Sequence, residues 1–169
     1  MPAAPIPSAP IPPEFLRTTT MSCDISPMQL LLVEDNVADA ELTMDALQST
    51  GLVNQIKWVK DGAEALELLL GAESAAVARL DLKLVLLDLR LPRVDGLEVL
   101  KRIRADERTR LLPVVVLTSS QEESDLVRAY DLGANSYLVK PVESEAFMKS
   151  VAELGLYWML LNKLPGTTQ

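Results

Sequence analysis

The stretch LVLLDLRLPRVDG at residues 84–96 begins with four apolar residues and continues into residues that favour turns. The stretches QLLLVE (29–34) and PVVVLT (113–118) contain a similar apolar run. Uninterrupted Leu and Val, in place of alternating apolar and polar residues, is typical of a strand that helices cover on both faces. The three stretches therefore predict buried strands of a parallel sheet.

Shorter apolar runs and segments of helical character extend this pattern along the chain. The predicted strands span 29–34, 55–59, 83–88, 113–118 and 136–139. The predicted helices lie near 37–50, 62–70, 95–107, 121–132 and 143–161. Gly51 and Gly133 follow two of these helices, where a left-handed cap is expected. The alternation predicts an α/β fold in three layers, with a parallel five-stranded sheet between two layers of helices.

Composition narrows the classes of function. The 169 residues include 16 Lys and Arg against 24 Asp and Glu, a net charge of −8, so we expect no nucleic acid partner. The chain has no His, which leaves carboxylates, hydroxyls and Lys for chemistry. Its single cysteine, Cys23, cannot form an intrachain disulfide, which fits a reducing cytoplasm. No apolar run reaches the length of a membrane span, and we expect no membrane association.

The distribution of proline indicates the domain boundaries. Seven of the eleven prolines lie in residues 1–27, which have no strand or helix periodicity. Proline removes backbone donors and favours extended, solvated chain, so we expect a disordered N-terminal tail. Residues 28–162 are long enough for one domain, and 163–169 would form a short C-terminal tail.

Polar residues follow four of the predicted strands. Glu34 and Asp35 end the first, Asp88 the third and Thr118 the fourth, while Lys140 follows the fifth. The carboxyl ends of parallel strands share one edge of a sheet, so these side chains are expected to converge. Three close carboxylates repel each other unless a cation lies among them, and Mg²⁺ prefers such oxygen ligands.

The same set of residues is suited to holding a phosphoryl group. Asp88, central in the sheet, is the best-placed nucleophile, and Thr118 and Lys140 offer donors to phosphoryl oxygens. Taken singly, a strand-end Asp is usually a loop-facing residue or a helix cap, and an acidic pair is more often a solvated turn than a metal site. The prediction therefore depends on all four strand ends together.

With these residues, the sequence resembles the receiver domains of two-component response regulators. The matching stretches are LLVEDN (31–36), LVLLDLRLPRVDG (84–96), VVVLTSS (114–120) and YLVKP (137–141), and the resemblance extends over about residues 28–161. It implies a flavodoxin-like (βα)5 fold with strand order 2-1-3-4-5. It also implies a signalling protein, not an enzyme, in which Asp88 accepts a phosphoryl group from a sensor histidine kinase in a Mg²⁺-dependent phosphorelay.

The resemblance also assigns individual roles at the site. Asp35 and Asp88 would ligate Mg²⁺ directly, Glu34 through water and Arg90 through its backbone carbonyl. Thr118, together with Lys140, would bind the phosphoryl oxygens.

Tyr137 matches the family's switch aromatic, which turns inward when Thr118 moves toward the phosphoryl group. The alternative is that Tyr137 is a half-buried aromatic that anchors the fifth strand. Lys140–Pro141 resembles the family's cis peptide.

Arg90 and Ser120 lie two residues beyond Asp88 and Thr118, where this family tunes attack by water on the acyl phosphate. The Arg90 guanidinium is expected to screen the phosphoryl group, and Ser120 has no carboxylate to orient water. We therefore expect at most slow self-dephosphorylation.

The predicted last helix suggests how a stand-alone receiver produces its output. Phe147, Val151, Leu154, Trp158 and Leu161 form an expected core-facing stripe. The opposite face becomes apolar near the end of the helix, which predicts a homodimer interface. That interface consists of Leu156, Tyr157 and Leu160. The alternative is that Gly155 breaks the helix and residues 156–164 fold back on the domain.

Within the family, three features resemble the response regulators that are paired with bacterial phytochromes. They are this C-terminal segment, the opening LLVEDNVADAEL (31–42) and a long spacer at 71–82. The resemblance implies that the partner kinase is a red-light sensor.

Three other classes fit less well. A haloacid-dehalogenase-type phosphatase needs Asp-x-Asp after the first strand, where this chain has Glu34, Asp35 and Asn36. A flavin- or nucleotide-binding module needs a glycine- or hydroxyl-rich loop there, and two acids would repel its phosphate. A degenerate receiver that acts as a phosphorylation-independent interaction scaffold remains the alternative, although the motif lacks none of its acids, Thr or Lys.

Overall fold

The computed structural model describes residues 29–51, 55–71, 82–141 and 143–163. Its strands are β1 Leu30–Val33, β2 Ile56–Val59, β3 Leu84–Leu87, β4 Val114–Thr118 and β5 Ser136–Val139. Its helices are α1 Val37–Ser49, α2 Gly62–Leu70, α3 Gly96–Ala105, α4 Glu123–Asp131 and α5 Ser144–Leu156. A π-helix, Tyr157–Leu161, continues α5. The predicted tails, residues 1–27 and most of 163–169, lie outside the described residues.

The five strands form one parallel sheet in the order β2-β1-β3-β4-β5. This arrangement confirms the predicted α/β, flavodoxin-like fold and its strand order. Val33 at the end of β1 is in register with Val59 and Leu87, the last residues of β2 and β3. The residues that follow these strands therefore leave the sheet at one edge.

The core lies on both faces of the sheet because the inner strands have no polar side. On one face, Leu31 and Val33 pack with buried residues of α2 and α3. On the other, Leu30 and Leu32 pack with residues of α1 and α5. All four of these side chains are at most 1% exposed, as the uninterrupted apolar run predicts.

Side-chain caps explain where the first three helices begin. Asn36, Asp61 and Asp95 each accept a hydrogen bond from a backbone N–H in the first turn of α1, α2 and α3. Gly51 and Gly133 have φ values of +67° and +91°, which confirms the predicted left-handed caps.

The predicted boundaries were one to two residues too wide at several elements. β1 and β3 end before Glu34 and Asp88, whose backbone N–H groups still bond to the neighbouring strand. The helix predicted at 95–107 begins at Gly96, since Asp95 is its cap.

The C-terminal helix keeps its direction through Gly155, which lies inside α5. Gly155 is buried against α1, where a Cβ atom would lie 2.7 Å from Leu47. The alternative of a helix break at this glycine is therefore wrong.

The predicted core-facing stripe of this helix is only partly right. Phe147 and Val151 are buried and Leu154 and Trp158 are partly buried, but Leu161 is 71% exposed. The π-helix adds a residue to the last turn, since the Asn162 N–H donates to the Tyr157 carbonyl. This extra residue rotates Leu161 off the face that an α-helical spacing assigns to it.

The three side chains predicted to form a dimer interface are all exposed. Leu156, Tyr157 and Leu160 have relative exposures of 40%, 51% and 59%. Among the described residues, no helix combines the length and apolar character needed to cross a membrane.

Candidate functional site

Three carboxylates meet at the carboxyl edge of the sheet. The Glu34 N–H donates to the Val59 carbonyl at 3.1 Å, and the Asp88 N–H donates to the Val33 carbonyl at 3.0 Å. These bonds extend the strand ladders by one residue and place both side chains beside Asp35. One oxygen from each of the three carboxylates lies within 4.8 Å of the others.

Lys140 provides the positive charge of the site. Its backbone N–H donates to the Thr118 carbonyl at 2.8 Å, which fixes it at the end of β5. Its Nζ donates to Asp88 Oδ2 at 2.8 Å, to Asp39 Oδ2 at 2.9 Å and to Glu34 Oε2. The side chains that follow β1, β3 and β5 therefore meet at one edge, as predicted, whereas Thr118 is joined to Lys140 through its backbone carbonyl.

Glu34, Asp88 and Lys140 are buried together, so the charge on each side chain affects the others. Glu34 and Asp88 side chains are 1% and 5% exposed, and the Lys140 side chain is 8% exposed. Burial raises the pKa of Glu34 to about 7, against the opposing effect of the Lys140 ammonium. Burial lowers the pKa of Lys140, but its hydrogen bonds to Asp88 and Glu34 outweigh this effect and raise it overall.

Sequence reasoning missed Asp39 as a member of the site. Asp39 lies in the first turn of α1, and its N–H donates to Asn36 Oδ1 at 3.1 Å. This cap directs the first turn of α1 back toward the sheet edge, so that the half-exposed Asp39 carboxylate reaches Lys140. The Asn36–Asp39 spacing indicates an acid in the first turn of α1, since a capping Asn favours an acid three residues later, but it does not give the direction of the Asp39 carboxylate.

Thr118 and Tyr137 are linked through the loop after β4. Thr118 is fully buried, and its Oγ1 accepts a hydrogen bond from the Ser120 N–H at 3.2 Å. The half-buried Tyr137 packs on the cluster around Leu89 and Val116, and its hydroxyl donates to the Ser120 carbonyl at 3.2 Å. These contacts are those expected if Tyr137 anchors β5. The role of Tyr137 as a switch stays a prediction.

The Arg90 guanidinium faces α4. Its Nη2 lies 3.3 Å from Glu122 Oε1 and 3.4 Å from Asp125 Oδ2. Asp125 also accepts a hydrogen bond from the Ser120 hydroxyl at 2.7 Å. Asp125, which the sequence did not single out, thus connects the two residues predicted to tune dephosphorylation.

Two backbone features near Asp88 differ in outcome. The Arg90 N–H donates to Asp88 Oδ1 at 3.0 Å, so a backbone amide contacts this carboxylate. Its carbonyl as a metal ligand stays a prediction. The cis peptide expected at Lys140–Pro141 is wrong, because this bond is trans. With the trans bond, Lys140 Nζ contacts the carboxylates of Glu34, Asp39 and Asp88.

The donor set suits a hard divalent cation. Lys140 supplies one positive charge to four surrounding carboxylates, those of Glu34, Asp35, Asp39 and Asp88. The Asp35 carboxylate is exposed, and no hydrogen bond or ion pair to another described residue holds it. Oxygen ligands with excess negative charge are what Mg²⁺ and Mn²⁺ prefer, and the described site has no nitrogen or sulfur ligand for a softer metal.

The sequence also matches proteins that are already known. The family model described as "Response regulator receiver domain" matches residues 30–152. The "Probable methanogenesis regulatory protein FilR2" of Methanothrix harundinacea is 47% identical over 140 residues, which cover 83% of this chain and 89% of that protein.

Two solved structures of relatives have a similar fold. That of the phosphorylated cyanobacterial phytochrome response regulator RcpA has a TM-score of 0.76 and 36% identity, covering 83% of this chain and 100% of that chain. That of the Mn²⁺-bound response regulator Rcp1 has a TM-score of 0.75 and 34% identity, with the same coverage. Rcp1 comes from Synechocystis sp..

The family match covers most of the described fold, and all of the strand-end residues that form the site lie within it. The sheet order and the meeting of Glu34, Asp88 and Lys140 at one edge agree with this match. The chain therefore belongs to the response regulator receiver domain family.

Proposed function

We propose that the chain is a single-domain response regulator that accepts a phosphoryl group on Asp88 from a partner histidine kinase in a Mg²⁺-dependent phosphorelay. The observation that carries the proposal is the buried Asp88 carboxylate, with the Lys140 ammonium 2.8 Å from one of its oxygens and two further acids beside it. In this proposal the chain is a cytoplasmic phosphoacceptor, not an enzyme, with no nucleic acid partner.

The proposed transfer uses groups that the chain already positions. A carboxylate oxygen of Asp88 attacks the phosphorus atom of the donor phosphohistidine, and the P–N bond breaks as the O–P bond forms. The imidazole nitrogen keeps the electron pair and takes up a proton from solvent. Lys140 then donates a hydrogen bond to a phosphoryl oxygen. In the structure the Thr118 hydroxyl accepts from the Ser120 N–H, and it would rotate to donate to a second phosphoryl oxygen.

Glu34, Asp35 and Asp88 would hold the metal ion. When bound, Mg²⁺ neutralises negative charge that builds up on the oxygens between donor and acceptor. The Mn²⁺-bound structure of Rcp1 supports a divalent ion in this family. Lys140 would then turn from the acids toward the phosphoryl group.

Uptake from a small phosphodonor tests the function directly. We expect the intact mass to increase by one phosphoryl group in the presence of Mg²⁺ and to remain unchanged when Mg²⁺ is chelated. A chain that never gains mass with donor and metal would instead favour the phosphorylation-independent interaction scaffold.

Self-dephosphorylation is expected to be slow. The Ser120 hydroxyl already donates to Asp125, and no carboxylate stands at position 120 to orient water. After removal of the donor, the phosphoryl group should persist for many minutes by intact mass. Because a positioned general base contributes roughly 10²–10⁴-fold, Ser120→Glu should shorten this lifetime at least about tenfold. Glu at the exposed neighbour Ser119 is the matched control, and a wild-type lifetime of seconds would contradict the proposal.

We propose that Thr118 and Tyr137 transmit the effect of phosphorylation to the protein surface. A phosphoryl group adds about two negative charges and acceptor oxygens. Thr118, drawn toward it, would alter the packing space beside Tyr137, whose hydroxyl bonds to the loop that follows Thr118. This is a packing change biased by new charge-assisted hydrogen bonds.

The proposed kinase partner is a bacterial phytochrome. This choice of partner is based on sequence similarity, since RcpA, at 36% identity, is described as a cyanobacterial phytochrome response regulator. The apolar C-terminal segment of this chain is a further point of resemblance to such regulators. The transfer would run either to Asp88 or away from it.

The output is proposed to involve a homodimer formed through Leu156, Tyr157 and Leu160. These large side chains are exposed on consecutive turns at the end of α5 and in the π-helix, and their burial against a second copy would remove apolar surface from water. Leu156→Glu with Leu160→Glu should reduce the sedimenting mass from dimer to monomer. Leu111→Glu, at another exposed leucine, should leave the mass unchanged. Equal masses for the wild type and the double variant would remove this proposal.

A further inference from the structure

Trp58 of β2 makes a hydrogen bond to the backbone of the acidic pair. Its indole Nε1–H donates to the Glu34 carbonyl at 2.8 Å. On the other side of Glu34, the Glu34 N–H donates to the carbonyl of Val59 at 3.1 Å. β2 therefore holds both peptide units that flank Glu34, one by a ladder bond and one by a side chain.

The Glu34–Asp35 peptide unit, whose carbonyl accepts from Trp58, determines where Asp35 lies. The Glu34 carbonyl and the Asp35 N–H belong to one planar group, so a bond that fixes the carbonyl also fixes the direction in which Asp35 leaves β1. The Glu34 side chain has its own restraints, because Oε1 accepts from the Asn36 N–H and Oε2 from Lys140. The exposed Asp35 carboxylate has no such bond among the described residues, so its position depends on its backbone.

The indole is itself held in place. Trp58 lies opposite Leu32 in the sheet and packs, partly buried, on the core cluster that includes Leu32 and Leu47. The Lys60 Nζ lies 4.9 Å from the centroid of the ring, within the range of a cation–π contact. A donor that is fixed before the metal arrives loses little conformational freedom on binding.

We propose that Trp58 is a positioning residue for the metal ligands, and that its indole N–H keeps the Glu34–Asp35 peptide oriented so that Asp35 faces the other two carboxylates. This inference rests on the proposed metal-binding function of the site. A group that hydrogen-bonds to the side chain of a metal ligand typically raises the metal affinity roughly 10- to 100-fold. A bond to the backbone of a ligand should contribute less, about three- to tenfold.

Mn²⁺ titration followed by electron paramagnetic resonance tests the inference without any phosphodonor. Trp58→Phe keeps an aromatic ring and removes the N–H, and we expect its Mn²⁺ dissociation constant to rise about three- to tenfold. Trp158→Phe is the matched control, because the only other tryptophan lies in the π-helix against Tyr157. A constant for Trp58→Phe within twofold of the wild-type value would overturn the inference. Wild type that binds no Mn²⁺ would overturn the proposed metal site, and the inference with it.

A second replacement separates the hydrogen bond from the packing of the ring. In the Trp158→Phe background, benzothienylalanine in place of Trp58 keeps the bicyclic shape and substitutes sulfur for the N–H. We expect this chain to lose Mn²⁺ affinity by the same factor as Trp58→Phe, with an unchanged far-ultraviolet circular dichroism spectrum. Wild-type affinity in the sulfur analogue would show that ring packing, and not the donor, matters at this position, and would reject the inference.

Discussion

Asp88→Asn is expected to take up no phosphoryl group under conditions in which the wild-type chain gains one. The side-chain amide has no ionised oxygen, so it cannot form an acyl phosphate by attack on phosphorus. Both oxygens of the wild-type carboxylate are engaged, Oδ1 with the Arg90 N–H and Oδ2 with Lys140, and Asn fills the same volume. Intact mass after incubation with a small phosphodonor and Mg²⁺ measures this all-or-none difference.

Asp95→Asn is the matched control for this experiment. Asp95 lies on the same loop and loses the same charge on substitution, but its carboxylate caps α3 by accepting from the Glu98 N–H at 3.0 Å. Asn caps helices as well as Asp does, so this variant should fold normally and gain one phosphoryl group. A full phosphoryl increment on Asp88→Asn would assign the acceptor to another acid of the site and contradict the proposed function.

The fold was predictable because its inner strands have no polar face. The runs at Leu30–Val33 and Leu84–Leu87 can be buried only if helices cover both sides, and this requirement leads to parallel strands joined by helical crossovers. The edge strands were less clear in the sequence. β2, with the sequence IKWV, is partly exposed, and only a short, interrupted apolar run indicates it in the sequence.

The main residues of the site were predictable for a topological reason. Residues that follow parallel strands come together whatever their distance in sequence, so Glu34, Asp88 and Lys140 could be grouped from the order of the strands alone. Asp39 and Asp125 could not be, because each lies in the first turn of a helix. Whether such a side chain points back to the sheet edge depends on the angle at which the helix packs, and local spacing does not encode that angle.

Two further failures have local structural causes. Leu161 was assigned to the core by a spacing of three and four residues, and the π-helix over Tyr157–Leu161 changes that spacing. The hydrogen bond of Trp58 was missed because a strand pattern gives the face of a side chain but not the direction of its N–H.

Lys140→Met is expected to lower the free energy of unfolding by about 3–5 kcal/mol near neutral pH, because it leaves buried carboxylates without their cation. Glu34 and Asp88 are at most 5% exposed and share this one ammonium, which is itself 8% exposed. Met preserves the length and apolar stem of Lys, so the loss should come from charge more than from packing. Urea denaturation, compared with Lys149→Met on the exposed face of α5, measures the effect.

The loss in Lys140→Met should also depend on pH in a defined direction. Burial already raises the pKa of Glu34 from 4.5 to about 7 with Lys140 present, and removal of the ammonium raises it further. Between the unfolded and folded pKa values the folded chain binds more protons, so the free energy of unfolding falls as pH rises through that interval. The destabilisation should therefore be larger at about pH 8 than at about pH 5, where a proton can neutralise the buried carboxylate. An equal loss at both pH values would mean that the ammonium acts through packing, and would contradict the charge-based account of the site.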